Sequence, residues 1–257
     1  MRDYGNPSYW DERYAAQDGS CFDWYHEFRI LKPYLEPFLS RDPSFEIFIP
    51  GCGNSKLGAE IYNMGCVNLT CVDTSPVVIN QMSDRYADKE EMECTLPGPT
   101  KVNPQFLSHL DFLSSLSLCV YLSLGLPPSL GLLSAAAAAV TVMDVRAMEM
   151  PDGCFDLIID KGLFDAQLCG EDNLTSITTM VAEISRVLKA GGAYVVVSHG
   201  KPASRLGYLQ KPQLQWDVQV IEIPKNSMDG VNEGASPCYY MYTCRKSSLG
   251  SPTRGGR

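Results

Sequence analysis

Short apolar runs alternate with longer amphipathic stretches along the chain. Phe45-Glu46-Ile47-Phe48-Ile49 reads as a buried strand, and Lys56 to Met64 as the helix that follows it. Leu69-Thr70-Cys71-Val72-Asp73 predicts a second strand, and Pro76 suits the first turn of a helix over Val77 to Tyr86. Further on, Phe155 to Asp160 predicts a strand and Ile177 to Leu188 a helix. Gly191-Gly192 then reads as a stop before a strand over Ala193 to Val197. Trp216 to Ile223 and Cys238 to Cys244 are strand-like with only a loop between them, the pattern of an antiparallel pair. Apolar strands alternating with helices predict a doubly wound, mostly parallel α/β sheet covered on both faces.

One segment breaks this rhythm. Thr95 to Val140 carries only Lys101 and Asp111 as charged residues and is loaded with Leu, Ser and Pro, ending in the alanine run 135–139. Phe112 to Leu126 is too short to span a bilayer, and Pro127-Pro128 interrupts it. The segment therefore predicts a low-complexity surface insertion within a domain over 1–248, with Leu249 to Arg257 as a flexible tail.

Composition narrows the chemistry. The 257 residues are 45% apolar, enough for one sizeable core, and 21 basic against 30 acidic residues leave a formal charge of −9. Such a surface repels phosphate backbones, which argues against a nucleic-acid partner and favours a basic protein surface. The ten cysteines form no C-x-x-C pair and the three histidines show no ligand spacing, so the expectation is reduced thiols and no metal. No apolar run follows a basic start at the N-terminus, which predicts a cytoplasmic chain without a signal peptide.

The strongest local signal is Ile49-Pro50-Gly51-Cys52-Gly53-Asn54-Ser55, directly after the first strand. Glycines at 51 and 53 allow a tight turn and close approach of a ligand, although a plain turn would use them too. Asp73 ends the next strand 22 residues after Gly51 (73 − 51), where a carboxylate can accept from both hydroxyls of a ribose or cap the next helix. A dinucleotide loop wants a third glycine at position 56, which is Lys56, so no pyrophosphate need be cradled. That favours a nucleoside such as S-adenosylmethionine. Asp144, in Met143-Asp144-Val145-Arg146, can accept from an adenine amino group or stand as a solvated loop acid.

Taken in order, G-C-G-N-S, V-D-x-S, M-D-V-R, F-D-x-x-I-D-K-G and R-V-L-x-x-G-G resemble a class I S-adenosylmethionine-dependent methyltransferase. Tyr9-Trp10-Asp11-Glu12-Arg13-Tyr14, Phe22-Asp23-Trp24-Tyr25 and Asp160 to Asp165 resemble, more closely, the eukaryotic methyltransferase-like group that includes elongation factor 1-alpha lysine methyltransferases. The resemblance implies a seven-stranded sheet with an antiparallel last strand. It also implies that Trp10, Tyr14 and Trp24 line the cofactor pocket beside Gly51, Asp73, Thr74, Asp144, Val145 and Lys161. For Trp10 and Tyr14, ordinary burial at i, i+4 is the competing reading. Asp160 and Asp165 flank the expected methyl-facing loop; Asp160 is the candidate for orienting the acceptor amine, with a strand-end cap as its alternative, and Lys161 for positioning the loop or the cofactor's carboxylate. Leu163 stands where the group usually has threonine. The implied activity is lysine methylation of a protein such as elongation factor 1-alpha, with a catalytically silent binding module or a small-amine methyltransferase as alternatives. Removing 95–140 joins Met92-Glu93-Cys94 to Thr141-Val142-Met143-Asp144 smoothly, the expectation for a retained intron or gene-model error, or else a lineage-specific insertion.

Overall fold

In the computed structural model, residues 4–17, 19–86, 139–170, 172–225 and 236–248 are described. Nearly all of the 95–140 segment, and the tail 249–257, lie outside them; residues 139 and 140 open a strand.

Helix α1 (Pro7–Ala15) begins at Asn6, whose side chain accepts the Ser8 N–H, with Pro7 supplying the preset first turn. Helix α2 (Phe28–Leu35), not foreseen in the sequence, buries Phe28, Leu31 and Leu35 along one stripe. Then follow β1 (Ile47–Pro50), α3 (Leu57–Asn63), β2 (Leu69–Asp73), α4 (Pro76–Tyr86), β3 (Ala139–Val142) and β4 (Phe155–Lys161). The remaining elements are α5 (Leu163–Gln167), α6 (Asn173–Val187), β5 (Leu188–Ser198), α7 (Pro202–Leu209), β6 (Trp216–Pro224) and β7 (Cys238–Lys246).

The seven strands form one sheet in the order β3-β2-β1-β4-β5-β7-β6. All neighbours run parallel except β7, which is antiparallel to both β5 and β6. The expected sheet and its closing antiparallel pair are both present. Gly191-Gly192 is a different matter: β5 starts directly after α6 and runs through both glycines as a bulge. Gly191 has φ +81°, and a Cβ at Gly192 would lie 2.9 Å from the Asp156 carbonyl oxygen. The glycines thus bend a strand instead of ending an element.

Side chains alternate across the sheet into two cores. Leu157, Ile159, Val195 and Val197 pack toward the face that carries α2, α3 and α4. Ile158, Tyr194 and Val196 pack toward α6 through Ile177, Met180, Val181 and Ile184. The strand order proceeds outward from β1 in both directions, to β2 and β3 on one side and to β4 and β5 on the other, and a crevice opens at that switch point, at the carboxyl ends of the strands. That crevice holds the site.

Candidate cofactor and acceptor site

The turn after β1 is left-handed at both glycines, φ +61° at Gly51 and +52° at Gly53. A Cβ at Gly53 would come 2.8 Å from the Tyr14 hydroxyl, and one at Gly51 would come 2.9 Å from the Leu163 Cβ. Only glycine satisfies both the backbone and the space. Asp73, at the end of β2, reaches across with Oδ2 to accept the Gly53 N–H at 2.9 Å. Its Oδ1 accepts the Ser75 N–H at 3.0 Å, while Ser75 Oγ takes the Val78 N–H and caps α4. Burial raises the Asp73 carboxyl to about 6, against the lowering pull of backbone N–H donors from Ser75, Gly53 and Thr74.

These groups line a cavity of about 670 Å³, within the range of small-molecule sites. All ten residues expected to hold a cofactor line it: Trp10, Tyr14, Trp24, Gly51, Gly53, Asp73, Thr74, Asp144, Val145 and Lys161. Trp10 and Tyr14 stack with ring centroids 5.8 Å apart while also facing the cavity, so their burial and their place in its wall coexist. The arm carrying them is tied down by Ser75 to Asp11 and by Gln81 to the Tyr14 carbonyl at 3.0 Å.

Two of the ten are engaged differently from the expectation. The Lys161 ammonium is buried against Asp23 at 2.8 Å and the Trp24 carbonyl at 3.2 Å. Burial lowers its pKa and Asp23 offsets that. These contacts tie Lys161 to the segment that bears Trp24, an engagement that neither of its two expected tasks named. Asp144 is clamped by the Arg146 guanidinium, with Oδ2 at 2.8 Å from Nη2 and Oδ1 at 3.0 Å from Nε. The hydrogen bonds from Arg146 hold its carboxyl below the usual range.

Asp160 corrects the expectation. It does not line the cavity; it is fully buried and shares its sheet face with Ile158. Its carboxylate accepts the Phe164 N–H at 3.1 Å and the Tyr194 hydroxyl at 3.0 Å, so it caps the turn into α5. Burial pushes its carboxyl up to about 7.

The carboxylate that does reach the cavity is Asp165, on α5. Its Oδ1 accepts from Ser198 Oγ at 2.6 Å and from Arg205 Nη2 and Nε at 2.8 and 3.0 Å. Its Oδ2 accepts from the Tyr25 hydroxyl, from the His199 N–H at 3.0 Å and lies 2.8 Å from His199 Nδ1. Burial opposes the charge, yet hydrogen bonds from His199, Ser198 and Tyr25 hold this carboxyl well below the usual range. Tyr25 sits in left-handed backbone at φ +66°, costly for an aromatic residue. Its ring meets Tyr239 with centroids 4.9 Å apart, and the Lys225 ammonium lies 4.7 Å from the Tyr239 centroid. Tyr25, Tyr239, Lys225 and His199 all line the same cavity. No spacing in the sequence assigns Tyr239 or Lys225 to it.

The residues fit a nucleoside sulfonium. Carboxylates and backbone surround the glycine turn, aromatic rings can face a cation, and the basic side chains beside them, Lys161 and Arg146, are paired with acids. Among the described residues that line that end, no basic side chain lacks an acidic partner, so none is set for a pyrophosphate. Among the described residues no group of His, Cys, Asp or Glu could hold a metal, and no helix is long and apolar enough to cross a membrane.

No protein-family model matches the chain. In sequence it is similar to mouse EEF1A lysine methyltransferase 4, 29% identical over 225 residues that cover 84% of this chain and 69% of that protein. It is 27% identical to human eEF1A lysine and N-terminal methyltransferase over 237 residues, 90% of this chain but 27% of that much longer protein. In structure it resembles an S-adenosylmethionine-dependent methyltransferase from Methanosarcina mazei, with TM-score 0.51, 12% identity and coverage of 88% and 99%. It also resembles the N-methyltransferase NodS from Bradyrhizobium japonicum in complex with S-adenosylhomocysteine, with TM-score 0.51, 14% identity and coverage of 91% and 95%. The chain thus has the fold of the class I S-adenosylmethionine-dependent methyltransferases and, in sequence, resembles the eEF1A lysine methyltransferases.

Proposed function

We propose that this chain is an S-adenosylmethionine-dependent methyltransferase that modifies a lysine side chain of a cytoplasmic protein, with eEF1A, the protein in its relatives' names, as substrate. The observation that carries this reading is the two-ended cavity. Glycine turn, Asp73 and aromatic arm lie at one end, and the Asp165 cluster with Tyr25 and Tyr239 at the other. An ammonium, that of Lys225, already rests on the Tyr239 ring. Methyl transfer from a sulfonium is an in-line displacement, so it needs alignment and a neutral amine more than covalent chemistry. In the proposed assignment Gly51, Gly53, Asp73 and Thr74 hold the nucleoside, Trp10, Tyr14 and Trp24 wall it, and Asp144 and Val145 border the adenine. The formal charge of −9 suits a basic protein surface.

The domain we propose runs over 1–248 and is interrupted by 95–140, as a retained intron or gene-model error; finding those residues in every mature transcript would overturn that. The activity is tested by incubating the chain with eEF1A and S-adenosylmethionine and mapping lysine methylation by mass spectrometry. Methyl groups on a defined lysine, absent when that lysine is Arg, support it. Cofactor binding without turnover points to a silent binding module, and methylation of small amines alone to the other alternative.

A further inference from the structure

Resting on that reading, we propose that His199 is the base of the reaction: its Nε2 takes the proton from the acceptor ammonium at the Tyr25–Tyr239 end of the cavity. A lysine amine begins with a pKa of about 10.4 and must lose a proton before its lone pair can attack. The tautomer of His199 follows from its partner. Asp165 is ionised and can only accept, so at 2.8 Å the Nδ1 atom must carry the hydrogen. That leaves Nε2 with a free lone pair, and among the described residues it has no hydrogen-bond partner. An imidazole so oriented by a buried carboxylate is the arrangement of a general base.

The surroundings suit repeated protonation. Arg205, from α7, already balances the Asp165 charge at 2.8 Å, so the carboxylate does not require a charged His199. The titratable and charged groups around the ring are Asp165 on α5, Tyr25 from the arm at 3.1 Å from Nδ1, and Arg205; Lys225 and Tyr239 line the same end of the cavity. The side chain of His199 is 56% exposed, which gives the captured proton a route to water. The strained backbone of Tyr25 places its hydroxyl on Asp165 and its ring beside His199, 5.9 Å between centroids.

In the step, the N–H bond of the lysine ammonium breaks and its proton goes to Nε2. The freed pair forms the N–CH₃ bond as the C–S bond breaks, its electrons leaving on sulfur. The product is a methylated ammonium and a neutral thioether, and the imidazolium returns its proton to solvent.

Two measurements test this on the full chain. Nitrogen-15 NMR of the histidine rings, without turnover, should show the neutral His199 ring protonated at Nδ1 and bare at Nε2, with the pattern altered in Asp165→Asn. In the pH profile of kcat/KM, His199→Gln should lower the plateau by about 10²-fold and remove the acid limb of the wild type. An Nε2–H tautomer, or a His199→Gln enzyme that keeps the limb, overturns the proposal while leaving methyl transfer intact. A chain with the expected tautomer that binds no S-adenosylmethionine overturns the methyltransferase reading, and the proposal with it.

Discussion

Asp160 and Asp165 stand five residues apart, on either side of Gly162, and both are buried. Asp160 is the last but one residue of β4, with its side chain in the core, where the backbone N–H groups of Phe164 and Leu163 and the Tyr194 hydroxyl are its donors and, among the described residues, no cation pairs with it. Asp165 opens toward the cavity and collects a guanidinium, an imidazole, two hydroxyls and a backbone N–H. One carboxyl is pushed up to about 7 and the other is held far down. Burial is common to both, so burial is not what separates them; the supply of charged and hydrogen-bonding donors is. The consequence is a division of labour in which Asp160 fixes a turn and Asp165 organises the end of the cavity proposed for the acceptor.

The largest effect should come from removing the Asp165 charge. Asp165→Asn leaves Arg205, whose side chain is 11% exposed, beside a neutral amide, with an expected loss of about 3–5 kcal/mol in urea unfolding. A loss below about 1 kcal/mol would mean the cluster is a surface pair in effect. Next is Asp73, buried like the other two but fed by backbone N–H groups alone. Asp73→Ala should weaken S-adenosylmethionine by about 10- to 100-fold, the weight of hydrogen bonds to a charged group, in a binding titration. Unaltered affinity would refute its ribose role.

The two aspartates should also give stability opposite slopes with pH. Asp160 rises from 3.8 to about 7 on folding, so between about pH 4 and 7 the folded chain keeps a proton that the unfolded chain has lost, and stability falls as pH rises. Asp165 is displaced downward, so its contribution is present above the ordinary carboxylate range and is lost on acidification. Asp160→Asn, which mimics the protonated form, should recover about 1–3 kcal/mol at pH 8 relative to pH 5 in unfolding titrations. An unchanged slope would place the proton elsewhere. Smallest is the exposed clamp on Asp144: Arg146→Ala should shift unfolding by less than about 1 kcal/mol, measured the same way.

What the chain disclosed in advance was local. Strands and helices have short periods, the glycine turn sits next to its strand, and Asp73 ends the following one, so these were legible from spacing. A position near a strand end does not tell which face the side chain takes: the register with Val196 puts Asp160 on the face covered by α6, while Lys161 beside it pairs with Val197 and takes the opposite face. The Asp165 cluster is hard to see in the sequence, since it joins residues 25, 165, 198–199 and 205 from four separate places, one pair 140 positions apart. Asp23 escaped for the same reason, its bond to Lys161 spanning 138 positions. No local rule yields such contacts, whereas the ten residues that the resemblance implies for a cofactor lie in local motifs and all line the cavity.

In the proposed assignment the cavity at the carboxyl ends of β1, β2 and β4 is an S-adenosylmethionine site. Calorimetric titration of S-adenosylmethionine into the full 257-residue chain tests it most directly. Saturable micromolar binding at one site, weakened in Asp73→Ala, is the expected result; no binding, or tight binding of a nicotinamide dinucleotide in its place, would contradict it.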